Sequence, residues 1–187
     1  YETKTSYTAT VTASDGANSA TQDITVNVTN LNDNTPSFTS SATFSAAENQ
    51  TAIGTVSATD ADGDTVSYSL SGTDASSMSI NSSSGVLTFN SAPDYETKSS
   101  YSATITASDG TNSSTQDITV NVTNLNDNTP SITSGATFSA AENQTAIGTV
   151  TATDADGDTL SYSLSGTDAS SMSINSSSGV LTFNSAP

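Results

Sequence analysis

A tandem array of seven-stranded, Greek-key β-sandwiches is the fold class predicted by this 187-residue sequence. Three observations carry it: an internal repeat of whole-domain length, hydrophobic residues that alternate with period two, and Gly, Asn, Asp or Pro at the end of nearly every alternating run.

The repeat is nearly perfect. Placing Tyr1 on Tyr95 and continuing to Pro93 on Pro187 gives 93 aligned pairs with a period of 94, and only nine pairs differ. They are Thr5/Ser99, Thr8/Ser102, Val11/Ile105, Ala17/Thr111, Ala20/Ser114, Phe38/Ile132, Ser41/Gly135, Ser57/Thr151 and Val66/Leu160. A period of this length describes an array of domains, whereas solenoid units repeat every 20–50 residues or so.

Each strand follows from its own alternation. "ATFSAAEN", "AIGTVSATD", "TVSYSLSG", "SMSIN" and "GVLTFN" are the first five. The sixth, "YSATITASDG", sets Tyr101, Ala103, Ile105 and Ala107 on one face and small hydroxyl residues on the other. The seventh, "STQDITVNVTN", does the same with Ile118, Val120 and Val122. Seven short strands in one period imply an antiparallel sandwich, and no segment shows helical periodicity. Abundant Ser and Thr suggest low complexity, but regular alternation around Ile, Val, Phe and Tyr is what disordered tracts lack.

Composition removes several function classes. Nineteen carboxylates face two Lys+Arg, for a net charge of −17, which argues against nucleic acid and anionic membranes as partners. No apolar run approaches twenty residues, so direct membrane insertion is not expected, and any export signal would lie elsewhere in a parent protein. With no Cys and no His, disulfides, thiolate chemistry and imidazole metal or general-base sites are excluded. A hard cation is the remaining way to stabilise small domains outside a cell.

The acids cluster in short elements at strand ends: "AEN" (Glu48), "DYE" (Asp94, Glu96), "NLNDNTP" (Asn124–Pro130), "DAD" (Asp154, Asp156; Asp60, Asp62 one period earlier) and "ASDG" (Asp109). By itself "DADGDT" fits an acidic turn closed by Gly63 as well as a metal loop. Charge favours the metal: residues 1–94 hold ten carboxylates and one Lys, a net of −9. Carboxylates gathered this densely are tolerable around a cation with six to eight oxygen ligands. Asp23, Asp64 and Asp74 are set aside as solvated turn or strand-face residues, Asp64 being at most a backbone donor.

Five linked elements in this order resemble the cadherin repeat, over the whole period. Two departures stand out: Ala47 where the family has proline, and Asn30 and Asn124 where it has the first linker aspartate. The resemblance implies an immunoglobulin-like sandwich and three calcium ions (Ca2+) at each junction of successive repeats. At the second junction it implies ligands from Glu48, Asp94, Glu96, Asp127, Asn124 and the Leu125 carbonyl, with Asn126, the Asn128 carbonyl, Asp154 and Asp156 around the third ion. The corresponding set at the first junction is Glu2, Asn30, Leu31, Asn32, Asp33, Asn34, Asp60 and Asp62, completed by Asp109.

On this reading residues 1–36 hold the last two strands of one repeat, 37–130 a complete repeat, and 131–187 the first five strands of the next. The expected role is mechanical: a calcium-rigidified extender of a secreted or cell-surface adhesin or filament, with neighbouring repeats in head-to-tail contact. Near-identical Ser/Thr-rich copies with little Lys look like a bacterial adhesin, and the chain lacks the Trp that the animal adhesive strand-swap needs. The expected setting is a longer covalent filament or, failing that, subunits joined by strand complementation. The alternative is a polysaccharide-binding module, with Tyr68, Tyr95 and Tyr101 as a carbohydrate platform. A glycosidase pair needs two acids in one cleft, and acids copied at every junction do not build one, so no enzyme is expected.

Overall fold

Alternating runs become strands here wherever a partner strand is within reach. The computed structural model describes Tyr1–Pro187, which form two compact units, Tyr1–Thr123 and Asn124–Pro187. No helix is long and apolar enough to cross a membrane; the helical content is two 3₁₀ turns, Ala75–Ser77 and Ala169–Ser171.

The first unit opens with a hairpin of β1 (Ser6–Ser14) and β2 (Ser19–Asn27), paired from Ser6 with Asn27 to Ser14 with Ser19. Its turn is built locally. Asp15 Oδ1 accepts the N–H groups of Ala17 (2.9 Å) and Asn18 (2.7 Å), and Gly16 supplies the left-handed backbone at φ 90°.

A complete sandwich follows. Its strands are β3 (Ser37–Phe38), β4 (Thr43–Ala47), β5 (Ala52–Thr55), β6 (Ala58–Thr59), β7 (Ser67–Ser71), β8 (Met78–Ile80), β9 (Val86–Phe89), β10 (Ser100–Ser108) and β11 (Ser113–Thr123). One sheet has the order β4-β11-β10-β7, the other β5-β9-β8, and β3 pairs with β6 as a short ribbon. The inward residues are those the alternation assigns: Ala103, Ile105 and Ala107 from β10, and Ile118, Val120 and Val122 from β11. They meet Ile53, Met78, Leu87 and Phe89 of the facing sheet in one buried cluster. Each fully buried aliphatic of this kind stabilises the fold by roughly 1.5–3 kcal/mol.

Two features depart from the expected antiparallel set. First, β4 runs parallel to β11, from Thr43 beside Thr119 to Ala47 beside Thr123. Alternation fixes which face is buried but carries no direction, and these partners lie more than seventy residues apart. Second, "AIGTVSATD" is two strands: β5 pairs with β9, whereas β6 pairs with β3. The chain changes sheets at Val56, whose N–H donates to the Gly85 carbonyl at 2.9 Å. Gly85 is required there, since a Cβ would lie 2.1 Å from the Val56 carbonyl oxygen and the backbone is left-handed (φ 69°).

The second unit contains β12 (Ser131–Ile132) paired with β14 (Ala152–Thr153), and a three-stranded sheet of β13 (Ala146–Thr149), β16 (Val180–Phe183) and β15 (Met172–Ile174). Of the five strands expected in 131–187, those of "AIGT", "SMSI" and "GVLTF" form. Residues 137–141 and 161–165, which repeat β4 and β7, do not.

Candidate metal centre

The linker and the "DAD" loop meet in the first unit around Asp62, which is only 8% exposed. Its Oδ2 accepts the N–H groups of Asp33 (3.0 Å) and Asn34 (2.8 Å), and its Oδ1 accepts Asn34 Nδ2 at 2.8 Å. Donation from the Asn34 backbone leads the forces that hold the Asp62 carboxyl below the usual carboxylate range, against the opposing effect of desolvation. Glu2, Asp33 and Asp62 offer oxygens within 4.8 Å of one another. Asp60 shapes the loop, its Oδ1 accepting the Asp62 N–H at 2.9 Å.

Asn30 explains its own departure from the family pattern. Its Nδ2 donates to the Asp62 carbonyl at 2.9 Å, a bond that an aspartate could not make. Asn124 makes the same bond to the Asp156 carbonyl at 2.8 Å in the second unit. The exchange of a charge for an amide therefore gives the linker a tether that does not depend on metal.

A third element closes the site. Asp109, in the β10–β11 turn, uses Oδ1 to accept the N–H groups of Thr111 (2.7 Å) and Asn112 (2.6 Å). Desolvation raises its pKa, but donation from Asn112 and Thr111 outweighs this and the net shift is downward. Asn112, which the sequence did not single out, clamps the linker: its Nδ2 reaches Asn32 Oδ1 (2.9 Å) and the Asn34 carbonyl (3.0 Å). Ser114 adds a bond from Oγ to the Pro36 carbonyl at 2.6 Å. The signal was present in the "DGTN" spacing, but only the fold brings that turn to a linker some eighty residues away. Leu31 is 70% exposed and its side chain carries no ligand atom, so any part it takes falls to its backbone carbonyl.

The residues fit a hard cation. The Oδ2 atoms of Asp60, Asp64 and Asp109 are buried with no hydrogen-bond partner. No side-chain cation answers them: Lys98 pairs with Asp74, and Lys4 lies over the Tyr7 ring. Asp64 is pushed up by burial first, then by the charges of Asp60, Asp62 and Asp109. Unpaired buried carboxylates are costly, and an all-oxygen set without His or Cys suits calcium or magnesium rather than zinc.

The residues one period later are placed as follows. In the first unit Glu48 is almost fully buried and accepts the Tyr95 N–H at 2.9 Å. Asp94 and Glu96 are exposed. Asp94 accepts from Thr97 Oγ1 (2.9 Å) and N–H (3.1 Å), and the Thr97 hydroxyl leads the lowering of its pKa. In the second unit Asp156 Oδ2 accepts the N–H groups of Asp127 (3.1 Å) and Asn128 (2.8 Å), repeating the Asp62 arrangement. Asp154, Asp156 and Asp158 have oxygens within 4.8 Å of one another. Leu125 and Asn126 flank them in the linker and are exposed.

Two sequence readings are corrected. Asp74 is no solvated residue: it accepts from Lys98 Nζ (2.5 Å) and the Ser102 N–H (2.9 Å). The proposed tyrosine platform is also absent. Tyr68 is buried and its hydroxyl accepts the Ala58 N–H at 2.8 Å, while Tyr101 packs edge-on against Phe89 at 4.9 Å.

Residues 42–123 match the family model described as Cadherin domain. Human Protocadherin Fat 4 is 34% identical over 194 residues, covering 92% of this chain and 4% of its own length. Among solved structures, Protocadherin Gamma B2 extracellular cadherin domains 3-6 align with a TM-score of 0.82 and 29% identity, over all of this chain and 52% of theirs. Mouse Cadherin-23 EC22-24 aligns at 0.74 and 28%, over all of this chain and 66% of its own. The chain thus spans a small fraction of the curated relative and about half of the first structure. These relatives are animal proteins, and neither the bacterial setting nor a polysaccharide ligand draws support from them.

Proposed function

Because the chain belongs to the cadherin domain family, we propose that it is a calcium-rigidified structural repeat of an extracellular adhesion protein, set head-to-tail among its neighbours. The supporting observation is the pair of buried, unpartnered carboxylate oxygens of Asp60 and Asp109, which come from two different loops of the complete repeat, the "DAD" loop and the β10–β11 turn. Calcium supplies the positive charge that would make this convergence favourable. The ligand set is Glu2, Asn32, Asp33, Asp60, Asp62 and Asp109, with the Leu31 and Asn34 carbonyls in reach. Asn30 serves as tether rather than charge.

By repeat equivalence the same roles fall to Glu96, Asn126, Asp127, Asp154 and Asp156, with Leu125 and Asn128 as carbonyl donors and Asn124 as tether. Glu48 and Asp94 complete the inherited pattern. The domain assignment follows the same logic: 37–130 is the complete repeat, 1–36 the end of one and 131–187 the start of another. Without the ion, like charges repel and the linker relies on the bonds of Asp62, Asn30 and Asn112. With it, the linker is fixed to the sandwich.

Calcium titration of the chelator-treated chain tests this. Melting temperature should rise with calcium, since a ligand that binds only the folded state stabilises it by mass action. Asp60→Asn keeps the turn's acceptor but removes its charge, and should weaken uptake at least tenfold. Absence of calorimetric uptake at millimolar calcium would overturn the proposal.

A further inference from the structure

We propose that the second unit is a docking site for the β1–β2 hairpin of a second copy of this chain, which completes its sandwich by strand complementation. The proposal stands apart from the calcium reading. It begins from a cleft of about 660 Å³ in the second unit, lined by Ile132, Val150, Leu160, Tyr162, Leu164 and Ile174. One period earlier these positions are Phe38, Val56, Val66, Tyr68, Leu70 and Ile80, and each belongs to the core cluster of the complete repeat or packs against it. The cleft is an uncovered core face.

In the complete repeat that face is covered by β10 and β11, through Ile105, Ile118 and Val120 among others. The β1–β2 hairpin carries the same cover: Val11, Ile24 and Val26 hold the equivalent positions in the same register, and all three are exposed. One chain thus presents both halves of a joint that it also shows assembled. The core positions that differ between the copies stay apolar, with Val11 for Ile105, Leu160 for Val66 and Ile132 for Phe38.

The backbone edges agree with the side chains. β1 and β2 pair only with each other, so each keeps an open ladder edge. The equivalent edges of β10 and β11 hold Ser67–Ser71 and Thr43–Ala47. Residues 161–165 and 137–141 copy those two segments and form no strand in the second unit. Docking gives both a ladder: Val11 of the incoming hairpin beside Leu164, as Ile105 lies beside Leu70, and Val26 beside Phe138, as Val120 lies beside Phe44. A net charge of −17 on each copy opposes indiscriminate association. Hairpin and cleft are different surfaces, so the contact is heterologous and builds head-to-tail chains or closed rings. In dilute solution both faces are open; they close on each other as concentration rises.

Sedimentation velocity of the full chain at rising concentration, in chelator and physiological salt, tests this. The 18.8 kDa chain should form species of two or more copies whose share grows with concentration. Ile24→Asp places a charge on the hairpin face and Leu164→Asp places one in the cleft. Each variant alone should stay monomeric where wild type associates. Mixed in equal amounts they should give a 1:1 dimer and nothing larger, because the first keeps its cleft and the second keeps its hairpin. Hydrogen exchange gives a second readout that needs no variant: amides of 137–141 and 161–165 should slow at least about tenfold on association. A monomer at every concentration with fast exchange in both segments overturns the proposal. A monomer with slow exchange there means that the chain's own hairpin fills the cleft, and the second copy is then not the occupant. Association that survives both substitutions runs through other surfaces and likewise overturns it. The measurements are made in chelator, so their outcome is separate from whether the chain takes up calcium.

Discussion

Residues 43–47 and 137–141 are both Thr-Phe-Ser-Ala-Ala, yet the first is a strand and the second is not. The same holds for Ser67–Ser71 and its copy at 161–165. In the complete repeat the first segment lies on β11 and the second on β10. The later copies have no such partner strands: the second unit pairs only β12 with β14, and β13 and β15 with β16. Neighbouring burial follows suit: Glu48 is 1% exposed, whereas Glu142, in identical surroundings of sequence, is exposed. A five-residue alternating run is thus permission to form a strand, and a partner's backbone converts it into one.

The two hairpins teach the converse. β1–β2 and β10–β11 share one register, from Ser6 and Asn27 or Ser100 and Asn121 to the turn. Their turns use the same Asp and Gly, so the pairing register is set locally. Burial is not: Val11, Ile24 and Val26 are 50%, 37% and 55% exposed, against 0%, 2% and 0% for Ile105, Ile118 and Val120. β11 is also two residues longer than β2, and those residues, Val122 and Thr123, are the ones beside Ala46 and Ala47.

Substitution at equivalent sites should separate local from tertiary contributions. The largest difference is expected for Ile118→Ala, which leaves a cavity in the core and should cost about 2–5 kcal/mol in denaturant unfolding. Ile24→Ala should cost under about 1 kcal/mol. Equal losses would mean that the hairpin is buried in solution. Gly85→Ala comes next, at about 2–3 kcal/mol, because its Cβ would strike the Val56 carbonyl in a left-handed backbone. Gly179 faces the Val150 carbonyl at the same 2.1 Å, so Gly179→Ala should strip hydrogen-exchange protection from the Val150 amide. Retained protection there would show that this contact is not local.

The smallest effect is expected at Asp74, where loss of the bonds to Lys98 and Ser102 in Asp74→Ala should cost about 1 kcal/mol. The copy, Asp168→Ala, should be neutral. Lys98, followed by the Ser102 N–H, lowers the folded pKa of Asp74. Its contribution should therefore be complete above the unfolded value near 4 and vanish as pH falls through the lower folded value. A stability difference between wild type and Asp74→Ala that persists at pH 2 would contradict this assignment.

Much of the candidate site was legible before any coordinates. Acidic elements at strand ends, spaced in a fixed order, locate Asp33, Asp60, Asp62 and Asp109 because metal-ligating loops are short and rich in carboxylates. The clamp by Asn112 was not legible, since an amide in a turn is ordinary until a linker lies against it. Nor was the difference between Asp64 and Asp74, both set aside as turn residues. One is turned into a sealed carboxylate group and the other is anchored by Lys98, and neither outcome is written in its neighbours.

What the amino-acid order determined by itself is whatever depends on contacts within a few residues. That includes the period, the inward face of each strand, the Asx turns at Asp15 and Asp109, the hairpin registers and the gathering of the "DADGD" carboxylates. The tertiary structure decided what depends on backbone brought from far away: the parallel seat of β4, the change of sheet at Val56, the burial of Glu48 and the sealing of Asp64. The physical reason is that a strand edge, a buried charge and a metal ligand are each incomplete alone. Each takes its final state from groups that the chain delivers only after it has folded.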